Sequence, residues 1–434
     1  MSGLATLESV RLVTSGIDCE VEHLLGEGGQ GSVYEVALRP GGGHFALKWY
    51  HREAATHSQW AALETLVDIG APDPRFLWPI ELAGGPAEGF GYLMRLREPR
   101  FHEMSDHMAR RITPEFRQLA TAGLELADSF LQLHSKGLCY RDISFGNVFL
   151  DPDTGNVLVC DVDNVGVDGS DGGVLGTHYF MAPEILRWEA MPSTRTDRFS
   201  LAVLLFYMFM LHHPLLGKRE TEVGCLDAAQ LARLLGHDPL FIFDPDDDTN
   251  RPVAGEQDNA LTFWPLYPQA IRDLFTRSFT EGLRNPMHGR VTEGQWRSAL
   301  SRLRDAVMTC QWCHQQCFYD VAATGPRRCC NPACRLEIAT PPRLAVNGFE
   351  IVLDDGAALY PHHLAGRRFD YSAVLASTAR HPTYDVSGIT NLGDHPWVAT
   401  TASGATCDVP PAQTVRIAPG TRIDFGTVEG TIRG

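Results

Sequence analysis

Residues 140–147, YRDISFGN, and residues 157–163, VLVCDVD, decide the fold of this chain. In the first stretch, Asp142 and Asn147 stand five positions apart, just beyond a long helical segment. A carboxylate and an amide so spaced on a loop can divide two tasks. One accepts or orients a hydroxyl proton, and the other holds a metal beside phosphate oxygens. In the second stretch, an apolar strand-like run ends on Asp161, fourteen residues beyond Asn147. A carboxylate oxygen there suits a hard cation such as Mg2+.

The same chemistry is prepared upstream. Gly26-Glu-Gly28-Gly-Gln-Gly31-Ser-Val33 matches G-x-G-x-x-G-x-V between two strand-like runs, a pattern that lets a hairpin backbone approach phosphates. Lys48 ends the run FALK and offers a cation for those phosphates. Glu64 lies sixteen residues later on a helix read over about 53–69, and it is expected to orient Lys48 through an ion pair. Glu53, near the helix start, is the fallback. A long helix is read over 113–135, with Thr113 as N-cap, Pro114 in its first turn and Gly137 as its stop. Leu119, Leu126, Phe130 and Leu133 give it helical apolar spacing, and a greasier helix follows at 196–211. Downstream stand Gly176-Thr177-His-Tyr-Phe-Met-Ala182-Pro183-Glu184, then Asp197 and Arg290.

In this order the motifs resemble those of the eukaryotic-type protein kinase family over about residues 18–309. The resemblance implies an α+β, two-lobed fold, with a β-rich N-lobe to about residue 96 and a helical C-lobe over 97–309. It implies ATP and Mg2+ as cofactors, with Gly26, Gly28, Gly31, Val33, Ala46, Lys48 and Met94 around the nucleotide. Asp142 would act on the substrate hydroxyl, Asn147 and Asp161 would hold Mg2+, and Lys48 and Glu64 would complete the catalytic set. Asp197 resembles the family's Asp at the start of the central C-lobe helix, and Arg290 the Arg that pairs with the A-P-E glutamate, here Glu184. The implied activity is phosphorylation of a protein substrate, and of the enzyme itself, on Ser or Thr, since G-T-x-x-Y-x-A-P-E is the commoner Ser/Thr form. Tyr140 replaces the family's His, Val162-Asp163 replaces Phe-Gly, and Ser144 and Gly146 stand where a specificity-marking Lys or Arg is usual. A second reading is therefore carried: a nucleotide-binding pseudokinase scaffold that recruits partners through the C-terminal modules. Ser170 is the only hydroxyl between Asp163 and Gly176, and Asp168 or Asp171 is expected to supply the charge that orders this segment.

The 434 residues exceed one ordinary domain, and 44% hydrophobic content allows a sizeable core. A formal net charge of −16 argues against nucleic acid and anionic lipid as partners. The longest apolar stretch, 201–211, is about half of what a bilayer span needs, and no secretory pattern opens the chain, so a cytoplasmic protein is expected. Six of the 11 cysteines fall between Cys310 and Cys334, which in a reducing compartment favours metal. Cys310, Cys313, Cys330 and Cys334 are the expected ligands of a structural Zn2+ in a zinc-ribbon segment over 310–338, with Cys317, Cys329 and His314 as further candidates. Short strand-like pieces over 339–434 read as a small all-β sandwich. Residues 388–397, GITNLGDHPW, with the strands after them, resemble the last strands of a forkhead-associated β-sandwich, and Asn391 lies in a loop comparable to the peptide-contacting loop of that family. The three modules together resemble bacterial kinases of tellurium-resistance-type gene clusters, which implies a metal-dependent phosphatase and a von Willebrand factor A-domain protein as partners.

Overall fold

The computed structural model describes residues 4, 8–86, 89–169, 174–322, 326–381 and 386–434. The chain divides into two compact units, the first made of residues 1–114, 122–261 and 274–297, the second of 115–121, 262–273 and 298–434. The last passage of the chain into the second unit, at residue 298, falls inside the helix Glu293–Asp305.

In the first unit a six-stranded antiparallel sheet has the order β1-β2-β3-β4-β6-β5. Its strands are β1 (Ser9–Arg11), β2 (Asp18–Glu27), β3 (Gly31–Arg39), β4 (His44–Tyr50), β5 (Glu81–Gly85) and β6 (Gly89–Arg95). The period-2 alternation of β4 sorts its side chains between two cores. Ala46 and Tyr50 pack with Leu63, Phe90, Tyr92 and Met94, whereas Phe45, Leu47 and Trp49 pack with Val21, Tyr34 and Val36 on the opposite face. Lys48 shares the face of Ala46 and Tyr50. Two glycines let neighbouring strands crowd β4. A Cβ on Gly31 would lie 2.3 Å from the Trp49 carbonyl oxygen, and one on Gly91 2.1 Å from that of Lys48. Gly26 and Gly29 have open space where a Cβ would stand.

Helix α1 (His57–Ile69) starts four residues later than the sequence spacing suggests. Residues 51–55 are taken up by turns in which Ala54 and Ala55 N–H donate to the His51 carbonyl, and Thr56 Oγ1 then caps the helix by accepting from Gln59 N–H at 3.1 Å. Gly70, at φ 71°, ends it. Helix α2 (Phe116–Ser135) buries Leu119, Leu126, Phe130 and Leu133, the apolar series read from the sequence. Helix α3 (Thr194–Met210) is buried nearly throughout, and Ser193 and Thr196 close a reciprocal capping box at its start. Between α2 and α3, strands Val148–Leu150 and Val157–Val159 pair antiparallel, with Val148 opposite Val159. That register brings Asn147, just before the hairpin, beside the residues that follow it: Cys160 N–H donates to the Asn147 carbonyl at 3.0 Å. Among the described residues, no helix is long and apolar enough to cross a membrane.

Among the described residues the second unit holds the cysteine-rich segment, with the short strand pair Val307–Thr309 and Gln316–Phe318, and two larger sheets. A six-stranded sheet runs in the order Phe349–Val352, Arg343–Val346, Glu429–Arg433, Arg422–Asp424, Trp397–Thr400, Thr406–Val409. A four-stranded sheet runs Ala358–Leu359, Ala376–Arg380, Ser387–Asn391, Thr414–Arg416. Their inward residues, among them Leu344, Ile351, Leu359, Ile389, Trp397 and Ile423, form one core. Asn391 is fully buried at the end of its strand. Its amide donates to the His395 and Val409 carbonyls at 2.8 and 2.9 Å and accepts from Gly393 N–H at 3.0 Å, so it braces the loop from inside.

Candidate active site

The turn joining β2 to β3 carries the glycine-rich motif and is closed by Gly28 N–H donating to the Gly31 carbonyl at 2.9 Å. Behind it, Ala46 of β4 pairs with Met94 of β6, and both pack in the core against which Val33 rests. These side chains make an apolar wall beside Lys48, the surroundings expected of a nucleotide base.

The catalytic-loop residues are fixed from behind. The Asp197 carboxylate, buried at the start of α3, accepts from Tyr140 N–H at 2.5 Å and from Arg141 N–H at 3.0 Å. His134 bridges it at 3.0 Å to Glu293, which lies 2.6 Å from the other ring nitrogen. Burial opposes the imidazolium, but the two carboxylates more than offset it and lift His134 to about 9. Tyr140, in place of the family's His, is fully buried among Phe76 and Phe130, and its hydroxyl donates to the Cys160 carbonyl. The substitution therefore ties the loop of Asp142 to the residue before Asp161.

Asp142 is half-buried and faces the opening. Its carboxylate accepts from Thr177 Oγ1 at 2.8 Å and from the Asn147 amide at 3.3 Å, and the same amide donates to its carbonyl at 2.8 Å. With the nitrogen of Asn147 committed to Asp142, its oxygen is left for a cation. Asp161, with φ 48° and a side chain 44% exposed, offers carboxylate oxygens one residue beyond Cys160, whose N–H holds the Asn147 carbonyl. An amide oxygen and a carboxylate are donors that fit Mg2+, which bound there would offset charge on phosphate oxygens. Beyond Thr177, Glu184 and Arg290 meet at 2.8 Å as a buried pair, as the resemblance implies. Ser170 and Asp171 lie outside the described residues, and Asp168 accepts from Thr194 N–H at 2.8 Å.

Lys48 departs from expectation. Glu64 is exposed on α1, as Glu53 is ahead of it, and among the described residues the ion pairs of Lys48 run to Asp161 at 3.2 Å and Asp163 at 2.9 Å. Helix α1 turns Gln59 toward the site instead, donating to Tyr50 Oη at 3.1 Å. The Asp163 side chain is wholly buried and also accepts from the Tyr50 hydroxyl at 2.5 Å. Burial works against the Lys48 charge, yet Asp163 and then Asp161 hold its pKa above the ordinary lysine value. The sequence flagged Asp163 as a departure from the motif, but its contact with a strand 115 residues away needed the fold.

In the cysteine-rich segment the thiols of Cys310, Cys313, Cys329 and Cys334 lie within 4.8 Å of one another. The fourth member is Cys329 rather than Cys330. Consecutive residues point to opposite sides of an extended chain, and Cys330 turns to Cys317, at 2.7 Å between sulfurs. Asn331 joins the two halves, its N–H facing Cys329 Sγ at 3.4 Å and its amide facing Cys313 Sγ at 3.7 Å. Four soft thiol donors so gathered fit a tetrahedral metal such as Zn2+.

Residues 93–274 match the family model described as the protein kinase domain. Over these residues the chain is similar to the protein kinase domain, and Asp142, Asn147 and Asp161 lie inside the matched stretch. It is 31% identical over 134 residues to CBL-interacting protein kinase 4 of Oryza sativa subsp. japonica, a match covering 30% of this chain and 27% of that one. It is 28% identical over 228 residues to the DNA damage-responsive serine/threonine-protein kinase RqkA of Deinococcus radiodurans, covering 47% and 31%. Against protein kinase C delta type of Mus musculus the identity is 37% over 95 residues, 21% of this chain and 14% of the relative. In each case the chain spans well under two thirds of the relative's length.

Proposed function

We propose that this protein is an ATP- and Mg2+-dependent protein kinase that transfers the γ-phosphoryl group to Ser or Thr hydroxyls of a protein substrate and of itself, in the cytoplasm. The observation that carries this reading is the hydrogen-bonded set of Asp142, Asn147 and Thr177, tied through Cys160 N–H on the Asn147 carbonyl to the neighbouring Asp161, which pairs with Lys48. Asp142 orients the incoming hydroxyl, displacing Thr177 from its carboxylate. Lys48 and the amides of the glycine-rich turn meet the phosphates, and Asn147 and Asp161 hold the cation. Retention of all these groups favours transfer over the pseudokinase scaffold. The Ser/Thr preference draws on the names of the relatives and on Thr177.

The same proposal gives the Cys310, Cys313, Cys329 and Cys334 cluster a structural Zn2+. It reads the two C-terminal sheets as a forkhead-associated-like module in which the buried Asn391 serves as brace rather than peptide contact. Partnership with a metal-dependent phosphatase and a von Willebrand factor A-domain protein rests on the order of the modules alone. Purified protein given labelled ATP, beside Asp142→Ala and Asp161→Ala, tests the catalytic assignment. Wild-type labelling with loss in both variants is expected, and equal labelling of all three would defeat the assignment.

A further inference from the structure

We infer that Asp163, rather than a carboxylate of helix α1, is the positioning residue that holds Lys48 for the phosphates, so that this site assembles without an ion pair from its helix. The inference rests on the phosphotransfer reading and concerns how that site is held.

Four observations carry it. First, the two carboxylates at Lys48 differ in surroundings: the Asp161 side chain is 44% exposed and that of Asp163 is 0% exposed. Asp161 can turn outward to a cation at little cost, whereas Asp163 cannot leave without stranding a buried ammonium. Second, both Asp163 oxygens are engaged: Oδ1 lies 3.0 Å and Oδ2 2.9 Å from Lys48 Nζ, and Oδ2 also accepts from Tyr50 at 2.5 Å. Period-2 alternation puts Lys48 and Tyr50 on one face of β4, so a single strand supplies both partners. Third, α1 offers a neutral group at this point. Gln59 donates to Tyr50 Oη at 3.1 Å and to the Asp163 carbonyl at 3.4 Å, while Glu64 is exposed. Fourth, Asp163 sits in a right-handed 3-10 turn, Val162–Asn164, a conformation open to any L residue, so the family's glycine is not required there. A helix that supplies the lysine's partner can switch the site by moving. Here the partner lies two residues from Asp161, on the segment that carries the metal ligand itself.

The test uses the full chain and the variants D163N, D163G, E64Q and D163N/Q59E, reading steady-state transfer from ATP and, separately, affinity for a fluorescent ADP analogue in EDTA. For D163N, kcat is expected to fall about 100-fold, the scale of a misplaced catalytic group. Metal-free ADP should bind about fivefold tighter, because the carboxylate competing for Lys48 is gone. A merely structural defect lowers both quantities. E64Q should match wild type within twofold in each, and D163N/Q59E, which returns a carboxylate from the helix, should regain at least tenfold in kcat. Wild-type behaviour of D163N in both readouts overturns the inference, as does an E64Q loss equal to that expected of D163N. If D163N does not fold, D163G gives the same readouts with the family's own residue. If wild type transfers no phosphate, the kinase reading falls. The ADP affinities then decide the anchor alone, with D163N tighter and E64Q unchanged upholding it and equal affinities refuting it.

Discussion

Replacing Arg290 by Met should unfold the first unit at a markedly lower temperature. The Arg290 side chain is 3% exposed, and its Nη2 lies 2.8 Å from the Glu184 carboxylate. Its Nη1 donates to the Arg195 carbonyl at 2.8 Å, and the group lies 5.4 Å from the centroid of Phe199. R290M leaves the Glu184 carboxylate, 11% exposed, without a counter-charge. Breaking a buried pair from one side costs about 3–5 kcal/mol. The lost bond to Arg195 adds about 1 kcal/mol. The N-terminus of the short helix Pro183–Leu186, which faces Glu184, returns about 0.3–1 kcal/mol, leaving roughly 4 kcal/mol. At about 2–4 °C per kcal/mol for a domain of this order, the midpoint should drop by roughly 8–16 °C. Calorimetry of the full chain, following the transition of the first unit, gives the shift. The double variant E184L/R290M separates pairing from packing: with both charges replaced by apolar groups it should return to within about 1 kcal/mol of wild type. An R290M loss below about 1 kcal/mol, or a double variant as unstable as the two single losses summed, would refute the reasoning.

Two further outcomes are expected. Purified without chelator, wild type and C330S should each carry about one Zn2+ per chain and C329S far less, as read by elemental analysis; the reverse ranking would return the ligand set to Cys330. His134 and Glu293 set a pH window. With its folded value lifted to about 9 from 6.5, His134 stabilises fully below 6.5, and that contribution fades as pH rises through 9. Glu293 is held down to about 2 from 4.5 because His134 and Arg198 outweigh its burial; its contribution is present above 4.5 and is lost as pH falls through 2. The melting-temperature gap between wild type and H134Q should therefore be widest at about pH 4.5–6.5 and shrink by pH 9.5. A gap that stays constant from pH 6 to 10 would contradict this account.

The site was legible in sequence wherever spacing along the chain dictates proximity. Asp142 and Asn147 share one loop, and one short hairpin returns the chain to Asn147 at Cys160, the residue before Asp161, so these placements follow from local geometry. The Arg290–Glu184 contact spans a greater separation and was expected only through the family resemblance, whereas the grip of Asp197 on the Tyr140 and Arg141 amides needed the fold. Lys48 was different. The position of a carboxylate along α1 depends on where the helix begins, and Thr56 starts it late enough to leave Glu64 in solvent and bring Gln59 inward. Cys329 and Cys330 raised the same difficulty on a smaller scale, since adjacent residues of one type differ only in the side of the chain on which they emerge. Several β pieces of the second unit were readable as short runs between Gly, Pro and Asp, whereas the inward placement of Asn391 depended on carbonyls supplied by other segments.

The crowding of β4 by Gly31 and Gly91 has a consequence for mutational tolerance. In a saturation library sorted first for folded protein and then for nucleotide retention, Gly31 and Gly91 should drop out at the first sort, because a methyl group at either meets backbone that cannot yield. Gly26, with open space around its missing side chain, should survive that sort and disappear only at the second. The G-x-G-x-x-G signature would thus divide into two independent fitness classes. Its last glycine answers to the strand that carries Lys48, and its first answers to the ligand.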